Sequence, residues 1–272
     1  MVLELLALLK PLNVEIVNLV DDAERASKGG WVLPASHAGP GMPRDLYGVY
    51  KAASNGEYEG RATAPLMVEG GGGGLVSNES NDILVSNESN DILRLLQTLA
   101  TTGVDLRPEE LSGEIDGVNE WGYRLLQNGV YKCGFATTQL AYDEAAAEVL
   151  EGLRRLDDAL GASRFCAGDK VTEADVKMYP WACRFDGAYS VAFKAPGGKI
   201  GRWENIRRWK DEMGRIEGVR GTVDVRDAVG SYYRQLFMNN PSGIVFYDDG
   251  WGEEEEGGEM LGDEVLHFVE GN

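Results

Sequence analysis

The sequence has little cysteine and histidine, the residues on which many catalytic and metal sites depend. Its 272 residues include three cysteines and two histidines. The cysteines are odd in number and show no Cys-x-x-Cys spacing, which supports neither a disulfide framework nor a zinc site. Two histidines argue against a histidine-rich metal site and against a histidine-based catalytic triad. We therefore predict no bound metal, and a reducing compartment such as the cytoplasm fits the thiol pattern best.

Long hydrophobic runs and basic clusters are also missing. No stretch reaches the apolar length of a membrane span, and the first residues lack the basic region and cleavage signal of a secretory peptide. The formal net charge is -19, and residues 248–272 hold ten acidic residues and no Lys or Arg. This charge argues against nucleic-acid binding through a basic face. Residues 247–272 are predicted to form an acidic disordered tail, although its last apolar residues could dock on the protein.

The first hundred residues mix helix and strand patterns. The composition, 43% hydrophobic, suffices for one large domain or two modest ones. Alternation, β-branched residues and turn residues predict the elements in this order: a helix over 1–10 with no capping residue before it, strands over 14–20 and 64–68, a turn at 70–74 into a third strand, and a helix over 91–99. We therefore predict an α/β domain over residues 1–103.

After residue 103 the sequence predicts helices alone. The apolar residues Val149, Leu153, Leu156 and Leu160 follow one another at spacings of four, three and four, which is typical of a buried helix face. Thr172 and Asp175 form a capping-box variant that begins a helix running to residue 185. Two further helices are predicted over 204–216 and 225–236. Residues 104–246 are therefore predicted to form an all-α domain.

The segment 128–139, with the sequence NGVYKCGFATTQ, lies between two helical runs and combines glycines with aromatic residues. Its opening Asn-Gly pair predicts a helix end, because both residues tolerate the left-handed conformation. One of its two threonines could cap the next helix. Tyr131, Lys132 and Phe135 would then lie on irregular backbone between rigid elements, where binding residues often occur. A plain connecting loop is the alternative.

Nine residues, 76–84, are repeated without change as residues 85–93. Nine residues make two and a half helical turns, so an extra copy inside the helix would turn the following apolar stripe to the wrong side. An extra copy is better tolerated in a hairpin loop. We expect the second copy to be the structured one, because it runs without interruption into Arg94. The first copy keeps the tighter turn after the glycines and remains the alternative.

Seven segments together resemble one protein family. They are Gly30-Trp31, residues 60–65, the Ser-Asn-Glu-Ser motif, Asn119-Glu-Trp121, residues 128–139, Arg184-Phe-Asp186 and Asn240-Pro-x-Gly-Ile244. From about residue 5 to 244, the chain resembles the Xi-class glutathione transferases, the glutathionyl-hydroquinone reductases. The resemblance implies a two-domain glutathione transferase fold, with an incomplete thioredoxin-like α/β domain before an all-α domain, and a homodimer. It also implies glutathione as cosubstrate and a quinone-type aromatic substrate.

The resemblance implies a set of glutathione contacts in the first domain. Ala64, which precedes a cis-proline at Pro65, would pair its backbone with the cysteinyl unit of glutathione. A Glu-Ser pair at a helix start would hold the γ-glutamyl end, since the carboxylate meets its ammonium group and the helix amides meet its carboxylate. The matching positions are Glu88 and Ser89, or Glu79 and Ser80 if the first copy of the repeat forms the site. A helix cap without ligand is the alternative.

The resemblance also implies the walls of a hydroquinone pocket. The aromatic groups that line this pocket in the family are matched by Trp31 and by the phenols of Tyr131 and Tyr232. Trp31 also counts among the predicted glutathione-binding positions. Phenol hydroxyls can stabilise a developing hydroquinone oxyanion, and an indole supplies a flat wall and a donor. Taken alone, each would more often be a core aromatic residue. Arg184 and Lys194 match basic positions of the family, for which a structural ion pair is the alternative to ligand contact.

The family's nucleophile has no counterpart in this sequence. It is a cysteine in a Cys-Pro-x-x context at the start of the first thioredoxin helix, where helix amides lower the thiol pKa. Its thiolate releases hydroquinone and leaves a mixed disulfide, which a second glutathione resolves. Nothing marks Cys133 as an activated substitute, and Cys166 and Cys183 read as core residues. We expect an amino-terminally truncated relative with impaired activity, or a non-catalytic glutathione-binding or interaction protein on the same fold.

Overall fold

The computed structural model describes most of the chain after residue 101 and separate stretches before it. The described residues are 1, 5–6, 20–21, 31–37, 43–60, 62, 64, 66–68, 75–77, 89–100, 102–236, 238–247 and 260–268. The chain divides into two compact units. One unit is Leu8–Ala100, and the other joins Met1–Ala7 to Thr101–Asn272. We call the second the helical unit.

The unit Leu8–Ala100 contains two pairs of short antiparallel strands and two helices among its described residues. The elements are β1 (Val20–Asp21), β2 (Trp31–Val32), α1 (Leu46–Ala53), β3 (Met67–Val68), β4 (Leu75–Ser77) and α2 (Ser89–Thr98). Strand β1 pairs with β2, and β3 pairs with β4. The predicted helix over 1–10 and strand over 14–20 lie mostly outside the described residues.

Helix α1 was not predicted from the sequence. Asp45, in extended backbone, caps it, since its Oδ1 accepts a hydrogen bond of 2.7 Å from the amide of Gly48. Leu46 and Tyr50 are buried on one face. The small core around them also takes in Ala62, Trp31, Tyr58 and Leu66. The helix has a recognisable signal, because an aspartate stands directly before apolar residues spaced four apart.

Helix α2 begins at Ser89, which lies in the second copy of the repeat. This agrees with the expectation that the second copy runs into the helix with an uninterrupted register. Strand β4 takes its last two residues, Val76 and Ser77, from the first copy.

The helical unit is built from α-helices and two π-helical turns. The elements are α3 (Ser112–Gly122), a π-helix (Tyr123–Gln127), α4 (Gly129–Phe135), α5 (Gln139–Ala162), α6 (Glu173–Arg184), a second π-helix (Phe185–Tyr189), α7 (Ser190–Ala192), α8 (Glu204–Gly214) and α9 (Val225–Gln235). The predicted apolar stripe of α5 is buried, so that prediction is confirmed. Helices α6, α8 and α9 lie where the sequence predicts them, with ends one or two residues earlier.

The predicted capping box at Thr172 and Asp175 is present and forms part of a larger buried cluster. Oδ2 of Asp175 accepts from the backbone amide and the hydroxyl of Thr172, at 2.9 and 3.0 Å. Oδ1 accepts from the amide of Cys166 and from the indole of Trp209, each at 2.8 Å. Burial raises the pKa of the Asp175 carboxyl, although these donors favour the charged form. The cluster therefore fixes the start of α6 against α8.

Glu173, the first residue of α6, is buried and also paired. Its Oε1 accepts from Asn119 at 2.8 Å and from the guanidinium of Arg107 at 3.2 Å. Asn119 belongs to one of the motifs on which the family resemblance depends. In this structure it ties α3 to the start of α6.

The end of the chain docks on the helical unit over residues 260–268. Val265 is fully buried, and its carbonyl accepts from the amide of Val171 at 2.8 Å. The carbonyl of His267 accepts from the amide of Asp105 at 2.9 Å. For these nine residues the structure shows the alternative kept open from the sequence, docking of the last apolar residues on the protein, because their side chains and backbone groups find partners there.

Within the described stretches, no helix is long and apolar enough to cross a membrane. No group of three or more His, Cys, Asp or Glu side chains in these stretches is placed to hold a metal ion.

Candidate functional site

The segment 128–139 is largely helical, so the prediction of irregular backbone is wrong. Asn128 has right-handed backbone, and the chain passes through it from the first π-helix into α4. Gly129 serves close packing instead of ending a helix, because a Cβ there would lie 3.0 Å from Cγ2 of Val149. The predicted cap is confirmed at Thr138, whose hydroxyl accepts from the amide of Ala141 at 3.2 Å.

Helix α4 places two aromatic residues one turn apart. Tyr131 and Phe135 stack with ring centroids 6.4 Å apart and an angle of 21° between planes. Tyr131 is half-buried, whereas 44% of Phe135 is exposed. An exposed aromatic ring beside a half-buried phenol forms a flat apolar surface that carries a polar group.

Three tyrosine hydroxyls meet beside this surface. The hydroxyl of Tyr131 lies 2.6 Å from that of Tyr232 in α9. The hydroxyl of Tyr189, at the end of the second π-helix, lies 3.3 Å from the same Tyr232 oxygen. We call these three residues the phenol cluster. The sequence predicted two of its members, and the structure brings those two into direct hydrogen-bond contact.

The phenol cluster has one more hydroxyl proton than it uses. Two hydrogen bonds join three hydroxyls, so one of the three protons has no acceptor within the cluster. Tyr189 is 3% exposed, and a donor left without a partner there would be costly. Tyr189 is therefore favoured as the donor to Tyr232. The spare proton then lies on Tyr131 or on Tyr232, both of which are half-buried.

A buried phenylalanine, Phe193, packs against two rings of the phenol cluster. The Phe193 ring lies 5.1 Å from that of Tyr131 and 5.6 Å from that of Tyr232, between centroids. Gly134 permits this packing, because a Cβ there would come within 2.6 Å of the Phe193 ring. The ring positions of α4 and Phe193 are therefore tightly coupled.

Arg184, the last residue of α6, brings a positive charge to the phenol cluster. Its guanidinium lies close enough to the hydroxyls of Tyr189, Tyr232 and Tyr131 to interact with them electrostatically. Burial alone would lower the pKa of Arg184, but the oxygens of Tyr189, Tyr232 and Tyr131 outweigh burial and raise it. Of the two alternatives for Arg184, a structural ion pair and a place at the site, the proximity of the three phenol oxygens favours the second.

Burial also favours the neutral form of two of the phenols, Tyr131 and Tyr189. It raises the pKa of Tyr131, and the proximity of Tyr189 and Tyr232 raises it further. It likewise raises the pKa of Tyr189, while Arg184 acts in the opposite direction. Tyr131 and Tyr189 thus keep protonated hydroxyls, and a protonated hydroxyl is a donor for an oxygen that gains negative charge.

The cysteines lack the environment of an activated thiol. Cys133 lies on α4 and is buried, and burial raises the pKa of its thiol to about 11. Cys166 is buried beside Asp175, and burial followed by that carboxylate raises its pKa well above the ordinary value. Cys183, on α6, is half-buried and forms no disulfide. A reactive cysteine needs a depressed pKa, so Cys133 and Cys166 do not supply a thiolate at neutral pH.

The other predicted positions are spread over the unit Leu8–Ala100 or lie apart from the phenol cluster. Trp31 is half-buried and packs against the core around Tyr50. Ala64 is exposed, and Ser89 is the first residue of α2. Lys194 is exposed, with left-handed backbone whose carbonyl accepts from Tyr142 at 2.7 Å. The remaining predicted positions, Pro65, Glu79, Ser80 and Glu88, lie outside the described residues.

Sequence reasoning missed Tyr189 and Phe193. Both follow Arg184, and with Phe185 they form a series of aromatic residues spaced by four. That spacing puts side chains on one helical face, which is the signal that could have found them.

Comparison with known proteins gives matches to one group of enzymes. The profile of the family described as "Glutathione S-transferase, C-terminal domain" matches residues 139–211. The chain is 34% identical over 225 residues to the glutathionyl-hydroquinone reductase YqjG of Escherichia coli (strain K12), which covers 80% of the chain and 66% of YqjG. It is 35% identical over 204 residues to the glutathionyl-hydroquinone reductase PcpF of Sphingobium chlorophenolicum, which covers 74% of the chain and 62% of PcpF.

Solved structures give similar matches. The glutathione-bound structure of Escherichia coli K-12 YqjG has a TM-score of 0.76 and 31% identity, and the match covers 91% of this chain and 81% of that one. The Xi-class glutathione transferase of Natrialba magadii has a TM-score of 0.80 and 29% identity, with 93% and 76% covered. The chain thus spans just under two thirds of the length of the two curated relatives, 66% and 62%.

Proposed function

Because the chain belongs to the Xi class of the glutathione transferases, we propose that its phenol cluster binds the aromatic ring of a glutathionyl-hydroquinone. The two-domain glutathione transferase fold predicted from the sequence is confirmed by the matches to solved structures. The activity proposed for the family site is glutathione-dependent reduction of glutathionyl-hydroquinones. Glutathione is the proposed cosubstrate.

One observation supports this assignment above the others: the 2.6 Å contact between the hydroxyls of Tyr131 and Tyr232, beside an exposed aromatic ring. A hydroquinone offers a flat ring for Phe135 and an oxygen for the spare hydroxyl proton of the Tyr131–Tyr232 pair. As the carbon–sulfur bond of the conjugate is cleaved, charge develops on the ring oxygens. Neutral phenol donors, backed by the charge of Arg184, stabilise that charge.

Glutathione recognition is assigned to the unit Leu8–Ala100. The proposed contacts are Trp31, Ala64, Pro65, Glu88 and Ser89, with Glu79 and Ser80 as the positions in the first copy of the repeat. The glutathione-bound relative supports glutathione as the ligand class. The start of α2 at Ser89 favours the second copy, because helix amides would there meet the γ-glutamyl carboxylate.

We further propose that this 272-residue chain has little or no turnover. The family reaction needs a thiolate that attacks the sulfur of the conjugate, releases hydroquinone and leaves a mixed disulfide. Burial holds the pKa of Cys133 at about 11, which leaves that thiol protonated at neutral pH. The pKa of the buried Cys166 thiol is likewise raised well above its ordinary value.

The test is turnover of a glutathionyl-hydroquinone by the purified 272-residue chain in the presence of glutathione. We expect a rate no higher than the background without protein. Cys133→Ser and Cys183→Ser serve as matched variants, since both remove one thiol from the helical unit. Robust turnover that is lost in Cys133→Ser and kept in Cys183→Ser would overturn the view that the nucleophile is missing.

The second candidate function is non-catalytic glutathione binding on the same fold, which the raised pKa values of Cys133 and Cys166 favour. It predicts saturable glutathione binding by calorimetry without turnover. Absence of binding would leave a structural role. A homodimer and a cytoplasmic location, both expected from the sequence, remain predictions, and analytical ultracentrifugation of the purified chain tests the first.

A further inference from the structure

One asparagine side chain links two of the helices beside the phenol cluster, α4 and α7. Asn239 lies four residues after the end of α9. Its amide nitrogen, Nδ2, donates to the carbonyl of Gly134 at 2.9 Å and to the carbonyl of Ala192 at 3.1 Å. Gly134 lies near the end of α4, and Ala192 is the last residue of α7. The last carbonyls of a helix have no intrahelical partner, so one amide satisfies two of them at once.

The same two elements carry the aromatic groups of the site. Helix α4 carries Tyr131, and Tyr189 and Phe193 flank α7. There is no room for a Cβ at Gly134 against Phe193, so α4 and the segment that contains α7 and Phe193 are in close contact at this point. The two hydrogen bonds of Asn239 fix the distance between these two elements and their relative position.

Asn239 is also anchored to the third element. Its backbone amide donates to the carbonyl of Leu236 at 2.9 Å, and the amide of Leu236 donates to the carbonyl of Tyr232 at 3.1 Å. Asn239 is therefore linked to α4, to α7 and to the end of α9, and α7 directly follows the π-helix that carries Tyr189. Small shifts among them would lengthen the contact between Tyr131 and Tyr232, since a hydrogen bond weakens steeply with distance and angle.

We propose that Asn239 is a positioning residue that sets the geometry of the phenol cluster and thereby its affinity for a phenolic ligand. The proposal rests on the proposed function, because it takes the cluster to be the surface that receives the aromatic ring. The proposal goes beyond that function, because it assigns the alignment of the phenol cluster to Asn239. The two hydrogen bonds of the Asn239 side chain go to backbone carbonyls and not to a phenol hydroxyl.

The neighbouring residue provides a matched control. Nδ2 of Asn240 also donates to two carbonyls, those of Tyr233 at 2.7 Å and Ile244 at 2.9 Å. These bonds hold the end of α9 and the segment after it, and neither reaches α4 or α7. Asn239→Asp and Asn240→Asp thus make the same chemical change, a carboxylate in place of a donor to two carbonyls, in different places.

The first measurement is the dissociation constant of para-nitrophenol, a phenolic ring whose binding does not depend on glutathione or on a cysteine. Asn239→Asp should weaken binding about tenfold, which corresponds to about 1.4 kcal/mol. Asn240→Asp should change it less than about twofold, although both variants lose thermal stability. Equal effects of the two variants on binding, or unchanged binding in Asn239→Asp, would overturn the proposal.

The second measurement needs no ligand, so it separates failure of the proposal from failure of the proposed function. Ultraviolet absorbance follows tyrosine ionisation in the folded protein as the pH is raised. The groups that face Tyr131 are Tyr189, Tyr232 and Arg184. If Asn239 holds them together, Asn239→Asp should let one further tyrosine ionise at lower pH, and a Tyr131→Phe background should remove that gain. Wild-type ionisation in Asn239→Asp would contradict the proposal even if para-nitrophenol binds to none of the proteins.

Discussion

Two polar clusters lie in the helical unit, and they differ in whether their hydrogen bonds are complete. At Asp175, both carboxylate oxygens accept two hydrogen bonds each, and the residue is fully buried. At the phenol cluster, two hydrogen bonds serve three hydroxyls, and Tyr131 is only half-buried. In the first cluster, both oxygens of the carboxylate have their hydrogen-bond donors within the protein. In the phenol cluster, one hydroxyl proton has no acceptor among the other two hydroxyls.

The difference separates a structural role from a binding role. Buried polar groups whose partners are all within the protein hold elements in place, and a ligand would have to displace one of those partners. A partly exposed donor beside a flat aromatic surface can accept a ligand without such a loss. Both clusters contain a titratable group with a raised pKa, so the raised pKa alone would not distinguish them.

The largest expected effect comes from opening the closed cluster. Asp175→Ala leaves the donors of Thr172, Cys166 and Trp209 buried without an acceptor. It should lower the free energy of unfolding by about 3–5 kcal/mol. Urea unfolding measures this change, and Asp143→Ala on the exposed face of α5 is the control, with an expected change below about 0.5 kcal/mol. A loss below about 1 kcal/mol in Asp175→Ala would erase the contrast between the two clusters.

A smaller effect is expected from crowding the open cluster. Gly134→Ala puts a methyl group against the Phe193 ring and should cost about 1–3 kcal/mol of stability, with weaker binding of a phenolic ligand. Gly117→Ala is the matched change in α3, where no atom lies within 4 Å of the new Cβ. It should stabilise by up to about 1 kcal/mol through helix propensity, and leave binding unchanged. Similar losses in both variants would show that the Gly134 contact has no special role.

The smallest effect is one of pH and is absent near neutrality. Burial raises the pKa of Tyr131 and Tyr189, so the folded state keeps protons that the unfolded state has lost. This contribution to stability is complete below the unfolded tyrosine pKa of about 10, and is lost as the pH rises through the higher folded values. Unfolding free energies measured from neutral to alkaline pH should therefore fall, and fall less steeply in Tyr131→Phe. An identical slope in that variant would contradict the burial of the phenol.

The sequence predicted what depends on local pattern. The stripe of α5 and the box at Asp175 each follow from residues a few positions apart, and both are present. The pairing of Tyr131 with Tyr232 joins residues 101 positions apart. It was reached only through the family resemblance. Periodicity says nothing about which distant side chains meet.

What local pattern could not decide depends on tertiary contacts. The helical path through Gly129 depends on close packing against Val149, and the docking of residues 260–268 depends on open backbone groups at Val171 and Asp105. The sequence alone does not distinguish a glycine that ends a helix from one that allows close packing of a neighbouring side chain. Asn239 likewise carries no local signal, since both its acceptors lie on distant elements.

A calorimetric titration of a glutathionyl-hydroquinone into the 272-residue chain and into Tyr131→Phe tests the proposed binding surface most directly. We expect saturable binding to the unaltered chain, and binding about tenfold weaker to Tyr131→Phe, because a hydroxyl of the phenol cluster is lost. Urea unfolding of both proteins shows that the loss is not one of folding. Equal affinity in the two proteins, or no binding to either, would contradict the claim that the phenol cluster is the surface that receives the hydroquinone.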